Sequence, residues 1–417
     1  APSLSGDGAR HRCVRYHRAD VPLAPYAQRT RRARRMDRPA RPTDGRMKVA
    51  VVGLGAMGSA VAYHLARSGA EVVGFDRYRP PHTMGSSHGE TRIIRAAYSE
   101  GAAYVPLVLR AYELWEQLER SAGRPLLQIT GGLYLDASGE AIASARRSAD
   151  SYAVEYESPT AGEVARRFPG LRPDDEFEAL YEPRAGVLSV EPAVEAQLSL
   201  AAREGADLRF ETAVQGWAAS ASGVTLATSG GAVSADARVL AAGPWLPSLL
   251  GDSSVPLTVE RQVAHWFAAG DAGAGERPIS IWHPSEGPAF YALPERRDAP
   301  GSGVKIALHH GGVETDPESV EREVAPGDIA ALRDAVVGRI AEASGSHLRA
   351  EVRLYTNTPD EDFVIDRHPE HEQVLIVSPC SGHGFKFAPA VGGGVSEWLL
   401  EGAPAVDLSA FSAERFA

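Results

Sequence analysis

Continuous apolar runs of strand length punctuate the chain at residues 49–52, 72–75, 239–242 and 374–377. Rich in β-branched side chains and with no alternating polar position, they predict strands buried on both faces, as in a parallel sheet. Helical spacing runs over 59–67, which Gly69 ends, and over 107–118, where Leu107, Leu114, Trp115 and Leu118 make one apolar face. Further helices are predicted over 141–152, 192–202, 329–341 and 389–400. Short strands are expected at 129–135, 208–210, 351–355 and 363–366, with a hairpin at 224–233 turning through Gly230 and Gly231. Residues 80–89 and 158–192 are rich in turn formers and read as loop, the second mostly so.

From 255 to 308 the pattern changes to short alternating runs at 263–268, 279–282, 290–293 and 304–308. Such runs predict an antiparallel sheet, and so a second domain inserted between the halves of the first. The fold class that follows is α/β: a doubly wound, Rossmann-like dinucleotide domain interleaved with a mixed or antiparallel-sheet substrate domain. The expected division puts 47–130, 191–254 and 351–417 in the cofactor domain. Residues 131–190 and 255–350 form the substrate domain, and 1–46 a separate leader.

The first buried run leads directly into Gly53, Leu54, Gly55, Ala56, Met57 and Gly58, then the 59–67 helix, then the run that stops on Asp76. Strand, glycine turn, helix, strand and acid are the parts of a dinucleotide-binding βαβ unit. Gly53 permits the tight turn, Gly55 lets backbone approach a pyrophosphate, and Gly58 lets helix and strand pack closely. The helix N-terminus offers unpaired N–H groups to the phosphates. Asp76, 18 residues beyond Gly58, can bind ribose hydroxyls, which favours FAD or NAD over NADP. The strand ending at Ala242 and Gly243 is placed to add a second backbone contact.

Composition narrows this little further. The 417 residues are 44% hydrophobic and can bury a large core. No apolar run approaches the ~20 residues that span a bilayer. The two cysteines, Cys13 and Cys380, form no disulfide framework or zinc spacing, which fits a reducing, cytoplasmic compartment. The net charge of −11 hides a leader of 12 Arg and 4 Asp at positions 1–46. That Arg- and Pro-rich leader is expected to be disordered residues upstream of a start at Met47, with a nucleic-acid arm or a transit peptide as the alternatives. The acidic remainder argues against a nucleic-acid partner.

Candidate chemistry gathers at three places. Arg92 and Arg95, three apart, share one side of a helix or turn, and a guanidinium pair matches a substrate carboxylate. An exposed pair answering Glu90 and Glu100 fits equally. Lys305 lies in an apolar strand ending at His309 and His310, facing either solvent or the interior, where its charge could assist dioxygen reduction. No acid or cysteine stands at matching spacing to the two histidines, so no metal site is expected. His383 and Lys386 flank a glycine turn, with Gly382 and Gly384, at a helix start.

The block from Gly53 to Gly101, with Ser87, His88, Gly89, Glu90, Thr91 and Arg92 inside it, resembles the monomeric sarcosine oxidase and N-methyl-L-tryptophan oxidase family. So do the segments 355–363 and 381–387, and the resemblance runs from about Met47 to the end of the chain. It implies an FAD-dependent amine oxidase; a flavin dehydrogenase would differ only in passing its electrons to an acceptor other than dioxygen. Substrate would be a secondary or N-methyl amino acid, oxidised to an imine with release of hydrogen peroxide, by a monomer needing no nucleic acid or membrane. By position, the resemblance makes Arg95 and Lys386 ligands of the substrate carboxylate and Lys305 the oxygen-activating lysine. Arg92 and His383 fall beside the flavin, and Tyr291, His309 and Tyr355 in the substrate pocket. It adds Ala56, Met57, Arg77, Ser87, His88 and Val214 to the cofactor contacts.

One departure stands out. The family's flavin-linking cysteine, two residues before Tyr355, is here Arg353. FAD is therefore expected to bind non-covalently. Trp282, Pro284 and Phe290 are expected at the pocket wall, which favours a bulky amino acid at least as much as sarcosine. A specialised imino-acid oxidase of natural-product synthesis, a flavin dehydrogenase and a non-catalytic flavin-binding protein are the other readings. A nicotinamide-dependent enzyme fits the βαβ unit alone.

Overall fold

The buried runs assemble as their patterning requires. In the computed structural model, which describes residues 45–221, 223–251, 255–269 and 277–416, six strands form one sheet. Its order is Val364–His368, His371–Ser378, Ala237–Leu240, Lys48–Val52, Glu71–Phe75 and Asp207–Arg209. All neighbours are parallel except the first pair. The leader's expected disorder lies outside the described residues.

Helices Ala56–Arg67, Tyr104–Ala122, Val190–Arg203 and Ala388–Glu401 share one large core with a face of this sheet. Close helix contact depends on Gly392, where an added Cβ would come within 2.6 Å of the Ala60 carbonyl carbon.

The alternating runs build a second sheet of eight strands, mostly antiparallel. Ile279–His283 pairs parallel with Gly132–Asp136, and Thr258–Phe267 pairs with Val304–Leu308 and with His347–Asn357. Its separate core holds Trp282, Phe290, Phe267 and Phe177. A Rossmann-like α/β sheet joined to a mixed sheet is the architecture expected from sequence. Among the described residues, however, the second face of the α/β sheet is covered chiefly by the antiparallel strands Val214–Ser220, Gly223–Thr228 and Gly231–Ala235 rather than by a second layer of long helices.

Three local expectations change. Residues 158–192 contain the helix Ala161–Arg167 and the strands Glu178–Glu182 and Gly186–Ser189 rather than mostly loop. The 129–135 run is two strands, Leu127–Ile129 and Gly132–Asp136, because Gly131 turns at φ +73° between them. Arg92 lies in a strand, Thr91–Ile94, that pairs with Gly186–Ser189, not in a helix or turn. Short strands carry too few residues for a period to show, and pairing partners decide them.

Candidate active site

The glycine loop is built as a cradle. Gly53, at φ +86°, donates its N–H to Phe75 O at 2.8 Å, and a Cβ there would meet Ala241 O at 2.5 Å. At Gly58 a Cβ would lie 1.7 Å from Gly53 O, so only glycine lets the helix start against the turn. Asp76 braces the same loop: its carboxylate accepts the Leu54 N–H at 2.8 Å and the Tyr78 N–H at 2.9 Å. The Ser87 hydroxyl accepts the Ala56 N–H at 3.0 Å. The Ala56–Arg67 helix has no acid in its first turn and no side-chain cap from Gly55. Its positive end is thereby kept for an anion. These features fit the pyrophosphate of a dinucleotide.

From this loop a cavity of about 550 Å³ runs to the second sheet, a size ordinary for a cofactor and substrate site. Of the expected cofactor positions, Gly53, Gly55, Ala56, Met57, Ser87, Ala242, Gly243, Gly382 and Gly384 line it. Arg92, Arg95, Tyr291, His309, Tyr355, His383 and Lys386 line it too. Residues separated by up to 333 positions in sequence, from Gly53 to Lys386, thus meet in one space.

Other expected residues do not line this cavity. Trp282 is a correction: it is fully buried, stacked on Phe290 at 5.5 Å and edge-on to Phe177. On the same strand Ile281 and His283 face the cavity, as strand alternation dictates. Phe290 is buried with Trp282 in the core rather than at the wall. His88 is 2% exposed, its Nδ1 3.5 Å from a Glu351 oxygen. Arg77 is ion-paired with Glu318 at the surface, and Val214 begins a strand paired with Gly223–Thr228. Gly58 and Asp76 lie behind the loop they shape.

Lys305 faces inward, 1% exposed, but sits behind the Thr91–Ile94 strand. Its Nζ donates to Thr91 O at 2.6 Å and Gly89 O at 3.2 Å. Burial first, then the Arg353 and Arg92 charges, hold its pKa well below the ordinary lysine value. Arg353, 3% exposed, donates Nη2–H to the same Gly89 O at 2.9 Å and lines the cavity. Arg92 donates to Thr91 O and Ser86 O, and burial followed by Arg353 lowers its pKa to about 10. Three cations therefore crowd one short strand beside the cavity.

Arg95 and Lys386 converge on the same lining, joined by Glu100, which the sequence offered only as a surface counter-charge, and by Tyr98, which it did not single out. Glu100 lines the cavity and is ion-paired with Arg95. Tyr98, fully buried, lies beneath the Arg95 guanidinium at 4.2 Å from its ring centroid. Neither stands in a pattern that marks it; both follow from the turn after Ile94. Glu182, also fully buried, holds this turn by accepting the Ala96 and Ala97 N–H groups. Burial holds His383 neutral, lowering its pKa to about 3, and burial then His310 lower that of His309 well below its usual value. Among the described residues, His368, Glu370 and His371 cluster at metal-ligand distances, in and beside a surface turn and outside the cavity lining. The His368 Nδ1 there accepts the Glu370 N–H at 3.2 Å.

Among the described residues no helix is long and apolar enough to cross a membrane. Residues 48–398 match the FAD dependent oxidoreductase family model. The monomeric sarcosine oxidase of Streptomyces avermitilis is 41% identical over 375 residues, covering 88% of this chain and 97% of its own. The N-methyl-L-tryptophan oxidase of Yersinia pestis is 35% identical, covering 88% and 98%. Among solved structures, NikD, an amino acid oxidase essential for nikkomycin biosynthesis, superposes with a TM-score of 0.77 at 24% identity, covering 88% and 97%. L-proline dehydrogenase from P. horikoshii does so with 0.77 at 22%, covering 89% and 98%; at these identities the likeness is one of fold. With its glycine cradle, its cavity and this extent of sequence identity, the chain belongs to the FAD-dependent oxidoreductase family, alongside the monomeric sarcosine and N-methyl-L-tryptophan oxidases.

Proposed function

We propose that this protein oxidises the C–N bond of a secondary or N-methyl amino acid, with FAD as its redox group and dioxygen as the acceptor. The observation that carries the reading is a single cavity lined both by the glycine cradle and by Arg95 with Lys386. FAD, when bound, accepts a hydride equivalent from the carbon beside the amine and passes the electrons to dioxygen, which leaves as hydrogen peroxide. Gly55 and Met57 present backbone N–H groups to the pyrophosphate, while Gly53 and Ala56, bonded to Phe75 O and Ser87 Oγ, join Gly58 and Asp76 in keeping that loop in shape. Arg95 and Lys386 bind the substrate carboxylate, so the amine is presented in one orientation. Tyr291, Tyr355 and the neutral imidazole of His309 position the amine without adding charge. Lys305, with Arg92 and Arg353, supplies the positive field that favours reduction of dioxygen.

FAD is proposed to be held without a covalent bond. Arg353 has no thiol to offer, and burial pushes the Cys380 thiol up to about 11, leaving little thiolate. Flavin that stayed with acid-precipitated protein would contradict this. The cofactor and substrate domains are proposed to divide as read from sequence, which the strand membership of the two large sheets supports. The strand His347–Asn357 joins the substrate sheet and carries that part seven residues past 350. A monomer is proposed in line with the name of the Streptomyces relative.

The test is a panel of N-methyl and cyclic amino acids with peroxide detection, air being the sole oxidant. Peroxide from at least one carboxylate-bearing amine is expected. Flavin that bleaches with substrate but returns only with an added acceptor would make the protein a dehydrogenase instead.

A further inference from the structure

The turn after Ile94 contains a hydrogen-bond chain whose direction is fixed by its two ends. Lys386 Nζ lies 3.1 Å from the Tyr98 hydroxyl, and that hydroxyl lies 2.7 Å from His383 Nδ1. The Glu361 carbonyl at the far end can only accept, and Lys386, when protonated, can only donate, so the tyrosine oxygen accepts from Lys386 and its own proton points to His383. Nδ1 is then an acceptor and the imidazole proton sits on Nε2. There it faces Glu361 O at 3.2 Å, a carbonyl that can only accept. Every donor in the chain finds an acceptor in this one arrangement.

Lys386 spends a second N–H on His383 O at 2.6 Å, which leaves a third for the cavity it lines. The other side of Tyr98 carries Arg95, the guanidinium lying 4.2 Å from the ring centroid. One buried tyrosine therefore touches both cations of the carboxylate clamp, one through its ring and one through its hydroxyl. Phe363 stacks on His383 at 4.6 Å and Tyr104 meets it edge-on at 5.4 Å, so the imidazole has little freedom to compensate.

We propose that Tyr98 is the positioning residue of the carboxylate clamp: its ring supports Arg95, while its hydroxyl aims Lys386 and fixes the His383 tautomer. The proposal rests on the reading of Arg95 and Lys386 as carboxylate ligands and deepens it. Tyr98 itself touches neither carboxylate nor amine.

The experiment titrates the holoenzyme with propionate and with its neutral isostere propionamide, following the bound flavin's absorbance. Tyr98→Phe keeps the ring and removes the hydroxyl. Propionate affinity is expected to fall about 10-fold, propionamide affinity to change less than about twofold, and KM for the amino-acid substrate to rise more than kcat falls. Equal losses for both ligands, or unchanged propionate affinity, would overturn the positioning role. Lys386→Met is run beside it. If that variant keeps full propionate affinity, the clamp reading has failed. If it loses affinity while Tyr98→Phe does not, only the role of Tyr98 has failed. A measurement on the unmodified protein stands apart from folding of the variants. Nitrogen NMR of labelled histidine should find His383 as the Nε2–H tautomer, and an Nδ1–H tautomer would refute the chain's direction.

Discussion

Arg95 and Glu100 form an ion pair within the wall of the cavity, guanidinium Nη2 against carboxylate Oε1. Ser99 Oγ donates to the other carboxylate oxygen at 2.7 Å. Burial opposes both charges, but the pairing outweighs it, raising the Arg95 pKa and lowering that of Glu100. The arginine read as a substrate ligand thus already holds a carboxylate of its own chain.

A substrate carboxylate must therefore compete with Glu100. Glu100→Gln leaves the buried Arg95 guanidinium without its counter-charge, which costs the empty protein stability. Propionate then restores that charge. Its affinity is expected to rise about 10-fold and its stabilisation of the protein against heat to grow correspondingly. Weaker binding in this variant would instead mean that Glu100 stays in place and contacts the ligand.

The cradle makes a graded prediction for two glycines of one loop. Gly58→Ala drives a Cβ to 1.7 Å from a backbone oxygen, Gly53 O, which cannot move aside without opening the turn. Gly55→Ala meets the Ser87 side chain at 3.1 Å, which can rotate. Flavin content per mole of purified protein should be nearly lost in the first and reduced in the second. Melting temperature should fall further in the first.

Strand alternation separates Trp282 from Ile281. Trp282→Phe should cost stability, on the order of 1–3 kcal/mol by chemical denaturation, and leave substrate preference unchanged. Ile281→Ala opens the cavity and should alter the relative kcat/KM of small and bulky amino acids. A changed preference in Trp282→Phe would return that residue to the pocket wall.

Histidine burial sets the acid side of the stability profile. His265 is 1% exposed, and burial followed by His347 lowers its pKa from 6.5 to about 4. The unfolded chain binds this proton first, so stability present above pH 6.5 is lost as the pH falls toward 4. Each such histidine contributes a slope of up to about 1.4 kcal/mol per pH unit in that window. His265→Asn should flatten the dependence of the urea midpoint between these limits, whatever it does to the midpoint itself.

Much of the cofactor half was legible because its signals are local. Val49–Val52 and Val374–Val377 are apolar at every position, and only a strand covered on both faces accommodates that. Gly53 and Gly58 mark a turn whose steric demands no other residue meets. The resemblance in the flanking segments supplied the partners, and Arg92, Arg95, Tyr291, Tyr355, His383 and Lys386 do converge on one cavity.

What the sequence by itself determined was therefore conformation and the kind of site: a parallel sheet, a glycine cradle, and cations to meet an anion. Which way each side chain faces was decided only by tertiary packing. Trp282 was drawn into the core because Phe177 and Phe290 offered it apolar contact. Lys305 came to rest behind a strand because the Gly89 and Thr91 carbonyls could satisfy its ammonium. Glu100 and Tyr98 acquired their places only when the turn after Ile94 brought them against Arg95, Lys386 and His383. Such pairings depend on distances across the folded chain, and no local period records them.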